Sequence, residues 1–96
     1  MMRVRWTVPA LADLDSIQDH IAERNPPAAS RLVNDILDRT DTLLSANPEL
    51  GRRGRVAGSR ELVLPGTSYI VAYRVTTSVE VLAVMHGARE WPESFD

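Results

Sequence analysis

Cysteine is absent from the 96 residues, and so is lysine. The first absence excludes disulfides and thiolate chemistry. The second makes every basic side chain an arginine, which stays protonated at neutral pH and cannot accept a proton. Arginine used to the exclusion of lysine is also what a GC-rich coding sequence produces, so alone it does not point to a ligand. No apolar run approaches the roughly 20 residues of a membrane-spanning helix, and no secretory leader is evident, so a cytoplasmic protein with no membrane partner is expected. The two histidines, His20 and His86, stand far apart and give no metal-ligand spacing. Neither a metal nor another cofactor is expected. A net charge of -2 argues against a general polyanion binder, and no sequence-specific contact to nucleic acid is expected, because counterion release rewards a cationic surface.

What is present is unevenly distributed. Residues 1–50 hold five Arg against eight acids, and residues 51–96 hold six Arg against five. Arg52, Arg53, Arg55 and Arg60 fall within ten positions that contain no acid, so a local cationic patch survives the acidic total. The length suits one domain over 1–96, with a layer of helices on one sheet.

Arg3 to Thr7 alternates polar and apolar residues as a half-buried strand does. Pro9 fits a first helical turn, and Leu11, Leu14, Ile17 and Ile21 then recur three or four apart along one helical stripe, with Asp13, Asp15 and Asp19 on the wet side. Asn25-Pro26-Pro27 both ends that helix and starts the next, through an Asn cap and a proline where a first turn has no N–H partner. The second helix has a wide apolar stripe (Ala29, Leu32, Val33, Ile36, Leu37, Leu43, Leu44) and stops at Asn47-Pro48. Glycines at 51, 54 and 58 predict a flexible basic loop over 48–59. Three strands follow, Glu61 to Leu64, Tyr69 to Val75 and Val79 to His86, the first two joined by a Pro65-Gly66 type II turn. The expected class is α+β, ordered β-α-α-β-β-β, with a small antiparallel sheet on an N-terminal helical hairpin.

Period-two geometry places Ile70, Ala72 and Arg74 on one side of their strand, and Glu80, Leu82, Val84 and His86 on one side of theirs. With the helices over Val4, Trp6 and Tyr73, Arg60, Arg74 and His86 are expected to gather on the open side. Salt bridges from the arginines to Glu61 or Glu80 compete with a ligand role. Trp91, between the last strand and Pro92, is expected to fold back over the sheet edge, and Tyr69 and Tyr73 to be buried with a hydrogen-bonded hydroxyl.

Four segments together resemble the RelE/ParE superfamily of toxin–antitoxin toxins, and within it the ParE branch. They are Trp6-Thr7-Val8-Pro9-Ala10-Leu11-Ala12-Asp13-Leu14, Gly58 to Gly66, Tyr69-Ile70-Val71-Ala72-Tyr73-Arg74, and His86-Gly87-Ala88-Arg89-Glu90-Trp91-Pro92. The resemblance spans nearly the whole chain. It implies a ParD-like antitoxin made from the same operon and growth arrest when that antitoxin is lost. The superfamily resembled has two activities. RelE-type toxins cut ribosome-bound message by attack of a 2′-hydroxyl, which needs a base, an acid and cations. Arg60 and Arg74 resemble the phosphate-facing arginines, and with His86 they would be the catalytic set. Yet the lysines and the C-terminal tyrosine of that branch are missing. ParE-type toxins instead poison DNA gyrase by binding it, which implies target contacts at Arg60, Arg74, His86, Arg89 and Trp91, arginine and tryptophan being frequent binding hot spots. A degenerate toxin that only binds its antitoxin is the third alternative. Antitoxin contacts are expected at Ile21, Leu37, Arg52, Arg53 and Arg55, through an amphipathic segment lying in a groove.

Overall fold

The computed structural model describes residues 1–87 and 90–95. Its elements run β1 (Val4–Trp6), α1 (Val8–Ala22), α2 (Pro26–Ala46), β2 (Arg52–Arg53), β3 (Arg60–Val63), β4 (Tyr69–Val75) and β5 (Val79–His86). Both helices start as their sequences direct. The Thr7 hydroxyl accepts from the Ala10 N–H and donates to the Val81 carbonyl, tying the start of α1 to β5. Asn25 accepts from the Ala28 N–H, with prolines opening the first turn of α2.

The five strands form one sheet in the order β1-β5-β4-β3-β2. Its class is the expected α+β, with two departures. β1 pairs in parallel with β5, from Val4 opposite Val79 to Trp6 opposite Val81, so the sheet is mixed and not wholly antiparallel. The basic loop carries a short strand of its own, with Arg52 opposite Glu61 and Arg53 opposite Arg60. A parallel first strand follows from the helical hairpin, which carries the chain back across the sheet before β5 is laid beside β1.

The core lies between the helices and one sheet face. Ala10 and Leu14 of α1, with Val33, Ile36 and Leu44 of α2, close on Leu62, Leu64, Val71, Tyr73, Val79, Val81 and Val84. Val4 and Trp6 are half-buried against the same cluster, which is the expected helix side. Leu11, expected on the α1 core stripe, is exposed, because the buried line runs through Ala10 and Leu14. At Gly66 φ is +79°, and the Thr67 N–H bonds the Leu64 carbonyl, as a type II Pro-Gly turn requires.

Tyr73 fixes the loop that precedes β2. Its hydroxyl accepts from the Gly51 N–H and donates to the Pro48 carbonyl, each at 2.8 Å. A Cβ on Gly51 would lie 2.6 Å from that hydroxyl, so only glycine fits. The loop is therefore pinned at its start, contrary to the flexible segment that its glycines suggest. Burial raises the Tyr73 pKa, against the pull of the Gly51 hydrogen bond, so the phenol is neutral and able to donate. Replacement of Tyr73 by Phe orphans a buried N–H and should cost about 1–2 kcal/mol, read as a drop of roughly 4–16 °C in thermal midpoint for a domain of this size.

Candidate functional site

Side-chain direction on the sheet is decided by one irregularity. Ala72 pairs with Ala83, but the next residue, Tyr73, pairs with Val81, so Leu82 has no opposite number. Such a bulge shifts the alternation by one residue. Val79 and Val81 before it, and Val84 after it, all reach the helix-side core, whereas Ala83 and Met85 pack on the other face. Just past the bulge the Val84 N–H donates to Asp13 Oδ2 at 3.0 Å, so a carboxylate from α1 satisfies a backbone donor of β5. Asp13 is thus engaged by the sheet and not on the wet side expected for it.

The expected gathering of Arg60, Arg74 and His86 on one open face does not occur. Arg74 is on that face, opposite Glu80. His86 is on the helix side, opposite Tyr69 and in edge-to-face contact with its ring at 5.7 Å. With His20, Asp13, Ser16, Ile17 and Ile21 of α1 it lines a cleft of roughly 490 Å³. Strict alternation through Leu82 predicts the opposite, and the bulge reverses it. The molecule's two histidines therefore share a cleft that no arginine among the described residues lines. Arg60 is opposite Tyr73, and its guanidinium donates to the Gly51 carbonyl at 2.9 Å and the Glu49 carbonyl at 3.4 Å. Its work is to hold the loop.

The open face carries two ionic clusters of the same design. Glu61 accepts from Arg52 Nη2 at 2.9 Å, from Arg55 Nε at 3.1 Å and from the Arg55 backbone N–H at 2.8 Å. Glu80 accepts from Arg74 Nε at 2.6 Å and from Arg5 Nη2. In both, the carboxylate lies beneath and the guanidinium groups lie outside. Glu61 and Glu80 keep 2% and 13% of their side-chain surface, against 44–56% for the four arginines. Burial alone would raise the Glu61 pKa, but the Arg55 backbone N–H and the Arg55 and Arg52 side chains outweigh it and hold the carboxyl below its ordinary 4.5. Hydrogen bonds from Arg74 and Arg5 lower that of Glu80. The salt bridges anticipated as competitors of a ligand role are thus present for Arg74, and Arg52 and Arg55 join them.

Between the two clusters lies a small apolar patch. Ala72, Ala83 and Met85 form its floor, and Trp91 and Phe95 fold back onto it. The expected return of Trp91 is seen, onto the face and not the edge. The Arg55 guanidinium stacks 4.1 Å from the centre of the Trp91 ring, joining the basic loop to the tail. Of the remaining expected contacts, Ile21 borders the histidine cleft, Leu37 is half-buried against the core, and Arg53 is exposed. Arg89 lies outside the described residues. Among the described residues, no group of three or more His, Cys, Asp or Glu is placed to hold a metal ion, and no helix is long and apolar enough to cross a membrane.

Residues 4–91 match the family model described as ParE toxin of type II toxin-antitoxin system, parDE. The chain belongs to the ParE toxin family. Among its relatives are a candidate toxin, Y4kP of Sinorhizobium fredii, 44% identical over 95% of this chain and 94% of that protein, and Toxin RelE2 of Caulobacter vibrioides, 37% identical over 93% and 99%. Among solved structures, the toxin resembles a chain of the chromosomal ParDE system from P. aeruginosa, with a TM-score of 0.81 and 33% identity over 90% of this chain and 96% of that one. It also resembles a chain of the toxin–antitoxin complex RelBE2 from Mycobacterium tuberculosis, with a TM-score of 0.66 and 26% identity over 92% and 93%.

Arg5 and Phe95 are structural partners that the sequence reading did not single out, and Asp13 is one that it placed on the wet side. Asp13 had a signal, since it stands three from Ala10 and four from Ile17 on the inward side of the helix. Because the native Glu61 and Glu80 carboxyls bind protons less readily than unfolded ones, their contribution is complete above pH 4.5 and is lost as pH falls through the lower folded values. Urea unfolding should show stability declining on acidification below that point. Replacement of Glu61 by Gln should shrink the decline and cost about 1–3 kcal/mol at neutral pH.

Proposed function

We propose that this toxin arrests growth by binding DNA gyrase, without cutting nucleic acid, and is held inactive by a ParD-like antitoxin. The observation that carries the non-nucleolytic reading is the separation of Arg74 and His86 onto opposite faces of the sheet. Attack by a 2′-hydroxyl needs a proton acceptor and phosphate-binding cations around one phosphorus atom. The open face offers cations without an imidazole, and the histidine cleft offers imidazoles without an arginine among the described residues. Adhesion makes no such demand. An array of guanidinium groups beside an aromatic pair is suited to contact with a protein.

On this reading Arg74 and Trp91 are the target contacts that the open face supplies. Arg89, two residues before Trp91 in the sequence, is proposed as a target contact with them. Arg60 and His86 act from the helix side, as loop support and cleft wall. The antitoxin partner is proposed from family membership and from the ParDE and RelBE2 systems to which the solved relatives belong.

A RelE-type ribonuclease is the competing reading, favoured by the shared cleft of His20 and His86 and by the relative named RelE2. Supercoiling by purified gyrase separates the two. The toxin should inhibit the reaction. Arg74→Glu should weaken inhibition by about tenfold or more, the loss expected of a contact residue, while His86→Ala leaves it intact. Cleavage of ribosome-bound message that is lost in His86→Ala would establish the ribonuclease instead.

A further inference from the structure

Beside residues 90–95 the molecule has a hollow of roughly 590 Å³, whose wall joins Asp13 of α1 to Ala83 and Met85 of β5 and to Glu90, Trp91 and Phe95. Three kinds of group face one space. The floor is apolar, since Ala83 and Met85 pack there with Ala72, and Trp91 and Phe95 stand on it with ring centres 6.5 Å apart and planes at 69°. Carboxylates supply acceptors. Asp13 commits Oδ2 to the Val84 N–H, its Oδ1 has no donor among the described residues, and Glu90 is exposed. The third group is a donor that lacks an acceptor. Among the described residues the Trp91 Nε1–H is buried and unpaired, a desolvated group that gains whatever accepts from it.

Few small molecules meet all three. An alkyl chain or plain aromatic ring leaves the N–H and the carboxylates without partners, and a simple organic cation serves the carboxylates but not the N–H. A guanine ring has every complement. Its N1–H and N2–H groups donate side by side to a carboxylate, its O6 and N7 accept, and its face stacks on aromatic rings. Adenine fits less well, because its N1 is an acceptor and would meet a carboxylate lone pair.

The rim extends the match. Arg74 lies two residues from Ala72 on the same strand face, about 7 Å along at the rise of a strand, and the Arg55 guanidinium stands 4.1 Å from the centre of the Trp91 ring. Their acid partners, Glu80 and Glu61, are beneath them, so the groups turned outward are guanidinium N–H donors, which phosphate oxygens engage in pairs.

We propose that the hollow and its arginine rim bind a free guanine nucleotide, with the base against Trp91 and Phe95 and the phosphates on Arg55 and Arg74. The Trp91 Nε1–H donates to O6 or N7, and Glu90 receives N1–H and N2–H. A single nucleotide suits the site better than a strand, because its phosphates leave the base on one side only, whereas a chain continuing past the hollow would run its charge against Asp13 and Glu90. Residues 90–95 are then the wall of a ligand site. The site shares Arg74 and Trp91 with the gyrase reading but does not rest on it.

The probe is GDP labelled on its ribose with an N-methylanthraniloyl group, titrated with the full chain and followed by fluorescence anisotropy. Unlabelled GDP should displace it, and ADP and CDP should do so about tenfold less well or worse. Guanosine, which lacks phosphates, should also be about tenfold weaker than GDP. Trp91→Phe keeps a ring and removes the donor, and should weaken GDP severalfold. Glu90→Gln should narrow the preference for GDP over ADP to about threefold or less. Arg55→Gln/Arg74→Gln should weaken GDP about tenfold and flatten the fall of affinity with salt. Circular dichroism of each variant verifies folding, so lost binding is not mistaken for lost structure. No displacement by GDP up to about 1 mM overturns the site. Equal displacement by GDP, ADP and CDP leaves only the arginines in contact and overturns the base hollow. A single-stranded oligonucleotide without guanine that displaces the probe better than GDP overturns the choice of a free nucleotide. Gyrase takes no part in these measurements, so their failure leaves the proposed mode of growth arrest where it stands.

Discussion

One irregularity in β5 decides which chemistry faces where: Ala72 pairs with Ala83 and Tyr73 with Val81, so Leu82 has no opposite number. Two residues beyond Leu82, the Val84 N–H donates to the Asp13 carboxylate of α1, so a backbone donor of this interior strand is satisfied from a helix. Everything beyond the bulge is turned over. His86 goes to the helices, Ala83 and Met85 go to the open face, and the open face is left to arginine and apolar groups. The absence of imidazole beside Arg74 is thus a consequence of strand geometry and not of composition.

Much of the fold was legible in the residues because local chemistry and global pattern agreed. Asn25-Pro26-Pro27 marks the start of α2 since an orphan amide needs an acceptor and a proline has no amide to orphan. β4 and β5 have the limits that their apolar runs suggest, Tyr69–Val75 and Val79–His86. Legibility failed where a strand is apolar on both faces. Val81-Leu82-Ala83-Val84-Met85 offers no polar residue to betray parity, so a slip of one position leaves no mark in the sequence. The parallel pairing of β1 and the two residues of β2 escaped for a related reason. Strands so short have little pattern, and their partners are chosen by chain path.

The candidate site was legible as a list and not as a constellation. Arg74, Arg52, Arg55 and Trp91 were all recognised by type, and they do share a face. What type could not reveal was depth. Glu61 sits beneath its arginines because it is opposite Arg52 on β2 and Ala72 on β4, a position that only register defines. The carboxylate there orients positive charge without cancelling it at the surface, because distance to an approaching partner favours the outer group. A cluster that reads as neutralised on paper is cationic to the touch.

The pairing of β1 with β5 joins residues 75 positions apart. Long-range parallel contacts of this kind form late, since the loop entropy of the intervening chain must be met before they stabilise anything. The sheet therefore cannot close until β5 has been made, so the first strand of the chain waits for the last to give it a partner.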